Sequence, residues 1–211
     1  MYNPRWFKED RVDVLQDEVN RVSFGTIITT NESRIMASHV PMLIDSSRSE
    51  RGVLFGHIAR GNMQWRESSP GVEGLAVFLG PDAYISPRWY KTKEETGKVA
   101  PTWNYVAIHV RGPVTFFEDT ARIREIVTKL TEHHEAYSEK PWKVTDAPPD
   151  YIDRELRQIV GFDMEIVEIE GKWKMSQNLP ETDRKNAIVK LLERDRHRDK
   201  EVSSEIKRRE P

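Results

Sequence analysis

The chain has 211 residues, which fits one domain or one domain with a helical appendage. Apolar residues make up 37% and charged residues 32%, as in a globular protein, and the net charge of −2 gives no overall attraction to DNA or to an anionic membrane. The absence of cysteine excludes disulfides, thiolate catalysis and cysteine-ligated metal sites. No apolar run approaches the roughly 20 residues that span a bilayer, and residues 1–10 carry no signal-peptide core. We therefore expect a cytoplasmic protein.

The N-terminal half predicts an aromatic arm, one helix and then a series of strands. Runs rich in β-branched and apolar residues, bounded by turn signals, favour the strands. In chain order these elements are an arm at residues 1–10 packed on the protein or on a partner subunit, a helix at 11–20, and strands at 23–30, 34–44, 53–58, 74–79 and 105–117. The first two strands flank a turn and predict a hairpin. Pro41 places the second strand at a sheet edge or a bulge, and Gly112-Pro113 predicts a break in the last strand.

The C-terminal half changes to a helical period. Its predicted elements are a helix at residues 120–137 capped by Asp119, a helix at 151–160, a strand at 162–173, and a last helix opened by a capping box of Asn178 and Glu181. From Arg194 the chain is almost wholly charged, which predicts a frayed tail. Because strands and helices do not alternate regularly, an antiparallel β-barrel with peripheral helices is favoured over a parallel doubly wound sheet.

Four segments combine aromatic with polar and basic side chains: residues 56–66, 80–90, 101–105 and 172–178. Aromatic faces can stack on a ring, amides and hydroxyls can satisfy its heteroatoms, and arginine can hold a phosphate. The mixture therefore suits a flat aromatic ligand with an anionic tail. It equally suits a barrel that buries its large aromatics and rims them with polar turns, because pockets and cores use the same residues. Composition alone leaves both interpretations open.

Five segments in order resemble the PaiB family of FMN-binding negative transcriptional regulators: residues 1–7, 56–62, 77–90, 99–105 and 174–178. The resemblance runs from Met1 to about Arg184. It implies a mainly β, antiparallel and Greek-key-like FMN-binding split barrel, similar to pyridoxamine-phosphate oxidases and flavin reductases. It also implies a homodimer with two flavin sites along the interface. In this interpretation residues 1–178 form the FMN-binding domain with inserted helices, and residues 179–211 form a C-terminal helix and charged tail.

The resemblance implies FMN contacts from four stretches of chain: a strand beside the isoalloxazine ring, a segment facing the flavin tail, residues that reach the flavin from the second subunit, and a segment that closes the site. In that order the implied residues are Ser38, His39 and Val40; His57, Arg60 and Asn62; Trp103 and Asn104, with Tyr84 and Ser86 nearby; and Lys174, Ser176, Gln177 and Arg184. Arg60 is the implied phosphate partner, so Arg60→Ala is expected to weaken FMN affinity tenfold or more, roughly the value of a charge-assisted contact. Leu179 stands where the family pattern has arginine, which removes one cation near the site. No side chain is implied as catalytic.

The histidines do not predict a metal site. His109 alternates with apolar neighbours on a strand and is interpreted as structural. Adjacent His133 and His134 point to different faces of a helix, whereas a helical metal site places its histidines four residues apart. His39 and His57 keep a haem-handling function open as a third hypothesis.

Two main functions compete. In the first, FMN performs hydride or electron chemistry and the protein positions it, as an oxidoreductase or flavin reductase. In the second, the protein is a non-enzymatic transcriptional regulator of the PaiB type. The sequence shows no helix-turn-helix, zinc finger or basic stripe, and the basic residues of the tail are interleaved with acids. Direct DNA binding is therefore not expected, and any regulatory effect would be indirect.

Overall fold

The computed structural model describes residues 1–69 and 71–209. Its elements, in chain order, are β1 (Lys8–Glu9), α1 (Val12–Val22), β2 (Phe24–Thr30), β3 (Ile35–Asp45), β4 (Val53–Ala59), α2 (Gln64–Glu67), β5 (Glu73–Ile85), α3 (Lys91–Thr96), β6 (Thr102–Phe117), α4 (Thr120–Glu135), α5 (Pro149–Leu156), β7 (Ile159–Glu165), β8 (Glu168–Lys174), α6 (Glu181–Arg194) and α7 (Asp199–Arg208). Short 3-10 turns occupy Pro87–Trp89 and Val144–Asp146. Across the described ranges, no helix has both the length and the apolar character that crossing a membrane requires.

The strands form one sheet in the hydrogen-bonded order β1-β8-β6-β5-β2-β3-β4-β7, and β7 also pairs with β6. That extra pairing closes part of the sheet into a ring. The neighbours β2 and β3, β3 and β4, and β4 and β7 are all antiparallel. The predicted fold class, a mainly antiparallel β-barrel with flanking helices, is confirmed.

The predicted hairpin is the pair β2–β3, and its register sets Ile27 opposite Ser38 and Phe24 opposite Pro41. Of the two alternatives predicted for Pro41, the sheet edge is wrong, since β3 has a neighbour on each side, and the bulge stays a prediction. Pro41 is the last β3 residue paired with β2, and pairing with β4 begins at Met42. A proline cannot donate a ladder hydrogen bond. It is accommodated here because this is where β3 changes partner.

The predicted break at Gly112-Pro113 is wrong, because β6 runs unbroken from Thr102 to Phe117. The glycine has a different purpose. A Cβ on Gly112 would lie 1.8 Å from the carbonyl oxygen of Glu165, so only glycine permits β7 to approach so closely. A glycine within an apolar run therefore marks a close backbone approach in this strand, and not its end.

The predicted strand at residues 162–173 is two strands, β7 and β8, separated by Ile166 and Val167. Both strands pair with β6, and their other neighbours differ: β7 pairs with β4, whereas β8 pairs with β1. Ile166 is buried and Val167 is exposed, as consecutive residues of a strand are, so the sequence does not mark the interruption. The helix predicted at 151–160 is α5, which ends at Leu156 because β7 follows at Ile159.

The contacts of the chain divide it into two units, each described here by itself. The second unit comprises Val12–Phe78 and His109–Ile169. As predicted, Asp119 caps α4, since its Oδ1 accepts a hydrogen bond of 2.8 Å from the backbone N–H of Arg122. Two clusters of buried apolar side chains pack α4 and α5 in this unit: Leu43, Phe55, Ile126 and Leu130, and Ile123, Val144, Ile152 and Leu156.

The first unit comprises Met1–Arg11, Leu79–Ile108 and the described residues from 170 to 209. The N-terminal arm packs on β8 of its own chain: β1 pairs with β8, and Asn3 Nδ2 donates to the carbonyl of Gly171 at 2.7 Å. The amino group of Met1 forms an ion pair of 2.8 Å with Glu170. These bonds fix the arm, whose Lys8 and Glu9 become part of the sheet.

The C-terminal segment corrects two predictions. The capping box is wrong, because α6 begins at Glu181 after Pro180 with no side-chain cap. The frayed tail is also wrong: α7 is a helix that buries Val202 and Ile206 and packs on α6. Spaced by one helical turn, these two apolar residues give the charged sequence one buried face. The domain boundary after residue 178 stays a prediction.

Candidate functional site

The first unit contains a cavity of about 370 Å³, here called the Lys174 cavity. Its walls come from the 97–102 connection before β6, the end of β8, the start of α6 and the region of Tyr90. Val99, Ala100, Pro101 and Leu179 make much of the lining apolar. Its polar lining includes Tyr90, Thr92, Thr102, Asn104, Lys174, Ser176 and Asp183. Three predicted site residues, Asn104, Lys174 and Ser176, are thus brought together here.

Asn104 and Ser176 form a buried polar pair in this cavity. The Nδ2 of Asn104 donates to the Ser176 hydroxyl at 3.0 Å, and that hydroxyl lies 3.2 Å from the Asn104 Oδ1. Asn104 is fully buried and Ser176 nearly so. Ser176 has a φ of +63°, a left-handed conformation that is uncommon for serine. A strained backbone that aims a hydroxyl at a buried amide is the kind of feature that clusters at functional sites.

Two lysines, Lys98 and Lys174, line the cavity, and Lys174 is the less exposed of them. Its Nζ donates to the hydroxyl of Thr102 and, at 2.7 Å, to the carbonyl of Trp103. Burial, and then the nearby charge of Lys172, lower the pKa of Lys174 from its ordinary value. The ammonium is held in place by two oxygens and is less hydrated than a surface lysine, which strengthens its attraction for an anionic group.

A second group in the cavity was not found from the sequence. The carboxylate of Asp183, which is almost fully buried, accepts hydrogen bonds from the backbone N–H of Thr92 at 3.2 Å and from its hydroxyl at 2.7 Å. Burial, and then the charge of Asp183, raise the pKa of Tyr90, while an interaction with Ser176 partly offsets this. Tyr90 therefore stays protonated as a hydrogen-bond donor. Tyr90 ends a segment singled out by its composition, but nothing in the sequence spacing connects it to Thr92 or Asp183.

The other predicted residues of this unit have local roles. Tyr84 and Trp103 are exposed and pack edge to face, with ring centroids 6.1 Å apart. Ser86 caps the 3-10 turn by accepting from the Arg88 N–H at 3.3 Å. The side chain of Gln177 bonds the backbone of Met175 at 2.7 Å and that of Trp173 at 2.6 Å.

Arg184 donates through an Nη1–H to the carbonyl of Leu179 at 2.9 Å. Its Nε is buried and has no hydrogen-bond partner among the described residues. A buried donor without a partner is rare and costs free energy, so it identifies a position where a ligand oxygen or a water would be stabilised. Arg184 is not among the residues that line the Lys174 cavity, so its role in closing the site stays a prediction.

In the second unit the predicted residues form a network of their own. Asn62 Nδ2 donates to the Ser38 hydroxyl at 2.6 Å, and that hydroxyl donates to the Oε1 of Gln64 at 2.5 Å. Gln64 is 3% exposed and also donates to the hydroxyl of Thr29 at 3.0 Å. Gln64 fixes the positions of Ser38 and Asn62. It lay in a segment of interest but was not predicted as a site residue, because only burial distinguishes it.

The histidines of this unit differ in exposure. His39 is exposed on β3, with its Nδ1 2.8 Å from the Thr26 hydroxyl. Its neighbour Val40 is buried. The His57 Nδ1 is buried with no hydrogen-bond partner within the described part of the chain, and burial lowers the pKa of His57. His57 is therefore a neutral ring at pH 7 with one nitrogen available to a polar ligand.

Arg60, the implied phosphate partner, already has acceptors around its guanidinium. It forms an ion pair with Glu118, and its Nε donates to the carbonyl of Arg157 at 2.6 Å. A longer contact of 3.5 Å reaches the carbonyl of Ile159. A phosphate would have to displace these acceptors or share the guanidinium with them. The role of Arg60 in phosphate binding therefore stays a prediction, and its present bonds offer a structural explanation for the residue.

The Lys174 cavity fits a flavin ring in size and in chemistry. Its volume of about 370 Å³ lies within the range of roughly 300–1,000 Å³ typical of ligand pockets. A flavin ring has an apolar edge and a polar edge. The cavity offers apolar walls for the first, and for the second the Asn104–Ser176 pair and the Lys174 ammonium.

Comparison with known proteins identifies the family. A family model described as "Putative FMN-binding domain" matches residues 1–168. The protease synthase and sporulation protein PAI 2 of Bacillus subtilis is 34% identical over 191 residues, covering 90% of this chain and 89% of that protein. An uncharacterized protein of Emericella nidulans is 30% identical over 224 residues and covers 89% of each chain.

Solved structures of similar fold include flavoproteins. The FAD and heme binding protein of Mycobacterium smegmatis has a TM-score of 0.56 at 11% identity, covering 79% of this chain and 73% of that one. The flavocytochrome Anf3 of Azotobacter vinelandii has a TM-score of 0.56 at 9% identity, covering 80% and 69%. At such identities the likeness shows the fold alone, and it confirms the predicted split barrel. FMN is the cofactor that the family's description names. This chain therefore belongs to the FMN-binding domain family whose model spans its first 168 residues, and it is a relative of PAI 2, as the resemblance to the PaiB family indicated.

Proposed function

We propose that this protein is an FMN-dependent oxidoreductase that acts as a homodimer, with the flavin ring held in the Lys174 cavity. The observation that carries the proposal is the buried Asn104–Ser176 pair, which lines the same cavity as Lys174 and the apolar walls. Asn104 and Ser176 would orient the polar edge of the ring, and the Lys174 Nζ would stabilise negative charge there. The apolar walls would exclude water from the reacting edge.

When bound, FMN supplies the hydride or electron transfer, so the protein needs no nucleophile. The chain's own contribution is positioning and electrostatics. Tyr90, kept protonated by its raised pKa, is available to donate a hydrogen bond, and the Thr92–Asp183 bonds fix the segment that follows it. These groups favour binding a small polar substrate over reading a nucleic acid.

The alternative is a non-enzymatic regulator, which the name of PAI 2 supports, since that protein is named for protease synthesis and sporulation. The net charge of −2 argues against direct DNA binding by such a regulator, because it gives no general attraction to phosphates. A regulator of this chain's composition would act through a ligand or a partner protein, and it would still use the same flavin cavity.

The homodimer is proposed from an exposed apolar face in the second unit. On β2 and β3, Phe24 is 60% exposed and Ile35 is 74% exposed. The register puts Thr26 opposite His39 and Ile28 opposite Ala37 on the same face of these strands. Large exposed apolar side chains on a paired sheet face are typical of protein interfaces. We expect a dimer by light scattering, and Ile35→Glu should shift it to monomer, whereas a dimer that survives Phe24→Glu and Ile35→Glu together would exclude this face.

The decisive experiment is an absorbance spectrum of the purified protein before and after addition of FMN and desalting. Flavin bands retained at about one per subunit would confirm binding, and steady oxidation of NADH or NADPH by the loaded protein would support the oxidoreductase. Retained flavin without turnover, together with a salt-sensitive complex with promoter DNA, would favour the regulator. Absence of flavin bands and of flavin fluorescence quenching would refute the proposal, and a Soret band on adding haem would then favour haem handling.

A further inference from the structure

The first unit has a second cavity, of about 330 Å³, here called the Trp6 cavity. It lies between the N-terminal arm, the end of β8 and the last turn of α7. Its lining is dominated by four basic residues and two tryptophans: Arg5, Lys8, Arg208, Arg209, Trp6 and Trp173. No acidic residue is among the described residues that line it. The proposed function makes no use of this cavity.

The charges around the cavity are only partly compensated. Lys8, Arg208 and Arg209 form ion pairs with Asp10 at 2.9 Å, Glu205 at 3.0 Å and Glu9 at 2.6 Å. Arg5 has no ion pair within residues 1–69 and 71–209. The side chains of Lys8 and Arg208 are 48% and 72% exposed, and ion pairs so open to solvent contribute little to stability. An anionic ligand can therefore recruit these cations at little cost.

Arg209 can be shared with a ligand because Glu9 does not depend on it alone. The Glu9 carboxylate also accepts from the Nε of Arg11 at 2.9 Å and from its Nη2 at 2.7 Å. The C-terminus of α7 carries a negative partial charge of about half an electron, which opposes an anion here. Five cations including Arg11 face the three carboxylates of Glu9, Asp10 and Glu205, and this excess of two positive charges outweighs that opposition.

The aromatic residues indicate what else the ligand carries. The guanidinium of Arg5 stacks 4.8 Å from the Trp6 ring, and that of Arg209 stacks 4.6 Å from the Trp173 ring. Trp173 is buried, whereas Trp6 is 56% exposed and offers ring surface to a ligand. An exposed tryptophan beside several cations suits a planar base attached to phosphate.

We propose that the Trp6 cavity binds a nucleoside phosphate, with the phosphate held by Arg5, Lys8 and Arg208 and the base stacked on Trp6. The Trp6 cavity adjoins the Lys174 cavity, since Phe7 lines both, but its cations and its tryptophans line the Trp6 cavity alone. Nicotinamide dinucleotides belong to this class of ligand, as do simple adenine nucleotides.

The test is calorimetric titration of the purified protein, once as obtained and once loaded with FMN, with ADP, adenosine and inorganic phosphate as separate probes. We expect ADP to bind at least tenfold more tightly than either fragment, because only ADP uses both the cations and Trp6. The variant Arg5→Gln/Arg208→Gln should weaken ADP binding tenfold or more and reduce its salt dependence, with FMN affinity unchanged. Arg66→Gln is the matched control, since Arg66 stacks 4.6 Å from Trp65 without lining the cavity.

Three outcomes would overturn the inference. If ADP binds no more tightly than inorganic phosphate, the cavity is an unspecific anion-binding patch. Equal losses in the double variant and in Arg66→Gln would show a general charge effect. If the protein does not bind ADP and the double variant loses FMN affinity, the cavity is part of the flavin site. Failure of FMN binding with intact ADP binding would refute the proposed function and leave this inference standing. Thermal unfolding of each variant checks that the arm and α7 stay folded.

Discussion

The two groups of predicted site residues are both hydrogen-bonded within the chain, and they differ in their surroundings. In the first unit, Asn104, Lys174 and Ser176 line a cavity and present polar atoms to it. In the second unit, Ser38 and Asn62 bond to each other and to the buried Gln64, and Arg60 bonds to Glu118 and to backbone carbonyls. The first group is arranged to receive a ligand. The second group resembles a polar core. A ligand could contact it only by replacing hydrogen bonds that the side chains already make.

This difference shows that polar residue type does not by itself distinguish a ligand contact from a structural bond. Asn104 and Asn62 are both amides beside a serine hydroxyl. Only the cavity next to Asn104 indicates which of them has room for a partner. The following predictions test whether the two groups have the distinct roles that their surroundings suggest.

The largest effect is expected from Gln64→Leu in the second unit. The substitution removes the hydrogen-bond partners of Ser38 and Thr29 at a site that is 3% exposed, and a buried polar group left without a partner costs roughly 1–3 kcal/mol. We expect the free energy of unfolding to fall by about 3 kcal/mol in urea denaturation. Gln16→Leu is the control and should change it by less than about 0.5 kcal/mol, because Gln16 bonds a carbonyl at the surface. Equal effects of the two variants would show that the Gln64 network does not stabilise this unit.

The next effect concerns Lys174. Lys174→Met removes the less exposed of the two lysines that line the cavity, and a hydrogen bond to a charged group is worth roughly 1.5–3 kcal/mol, so FMN affinity should fall about tenfold to a hundredfold. Quenching of flavin fluorescence measures it. Lys172→Met is the matched control, because Lys172 lies on the same strand but donates to the carbonyl of Tyr2 at 3.0 Å and does not line the cavity. An FMN affinity that is unchanged in Lys174→Met would place the flavin elsewhere.

Much of the fold could be predicted from the sequence because its signals are local. The apolar run before the turn at 31–33 and the run after it gave the β2–β3 hairpin, and Asp119 gave the cap of α4. The errors arose where the local structure depends on residues that are distant in the sequence. Gly112 is needed because the carbonyl of Glu165 approaches it, and α7 is held by the burial of Val202 and Ile206 in a charged segment. Neither partner is visible from the neighbouring residues.

The candidate site was predictable in a different sense. Asn104, Lys174 and Ser176 came from the resemblance of whole segments to a family, and those segments meet in one cavity. Tyr90, Thr92 and Asp183 join the same cavity through contacts between residues about 90 apart in the sequence, as in the 2.7 Å hydrogen bond from Thr92 to Asp183. No composition or spacing signal links such pairs, so the structure was needed to find them.

A smaller effect is expected from acid, and it compares one carboxylate in each unit. The pKa of Glu9 in the first unit is lowered to about 2, chiefly by hydrogen bonds from Arg11, and the pKa of Asp45 in the second is lowered to about 2, chiefly by Lys129. Since both folded values lie below the unfolded values of about 4, each carboxylate stabilises the fold above pH 4, and this stability is lost as the pH falls toward 2.

Glu9→Gln should therefore lower the free energy of unfolding by about 2 kcal/mol at pH 7 and flatten its dependence on pH between 5 and 2. Asp45→Asn should have about half that effect, because its side chain is 17% exposed against 5% for Glu9 and solvent screens its ion pair. Urea denaturation across this pH range measures both. A pH dependence that is unchanged in both variants would mean that other groups control the acid transition.

The smallest effect, and the most informative one for the comparison, is expected from Arg60. Arg60→Ala should weaken FMN binding about tenfold if the guanidinium holds the flavin phosphate, as the family resemblance implies. The same substitution also breaks the ion pair with Glu118 and the 2.6 Å bond to the carbonyl of Arg157, so a loss of affinity alone could reflect a distorted second unit. Glu118→Gln separates the two explanations, because it breaks the ion pair and leaves the arginine in place. A phosphate-binding Arg60 predicts that FMN affinity, measured by flavin fluorescence, is kept or increased in Glu118→Gln, since the guanidinium is then released from a competing carboxylate. Equal losses of FMN affinity in both variants would make Arg60 a structural residue. The residues of the Lys174 cavity would then be the group, of these two, that receives the ligand.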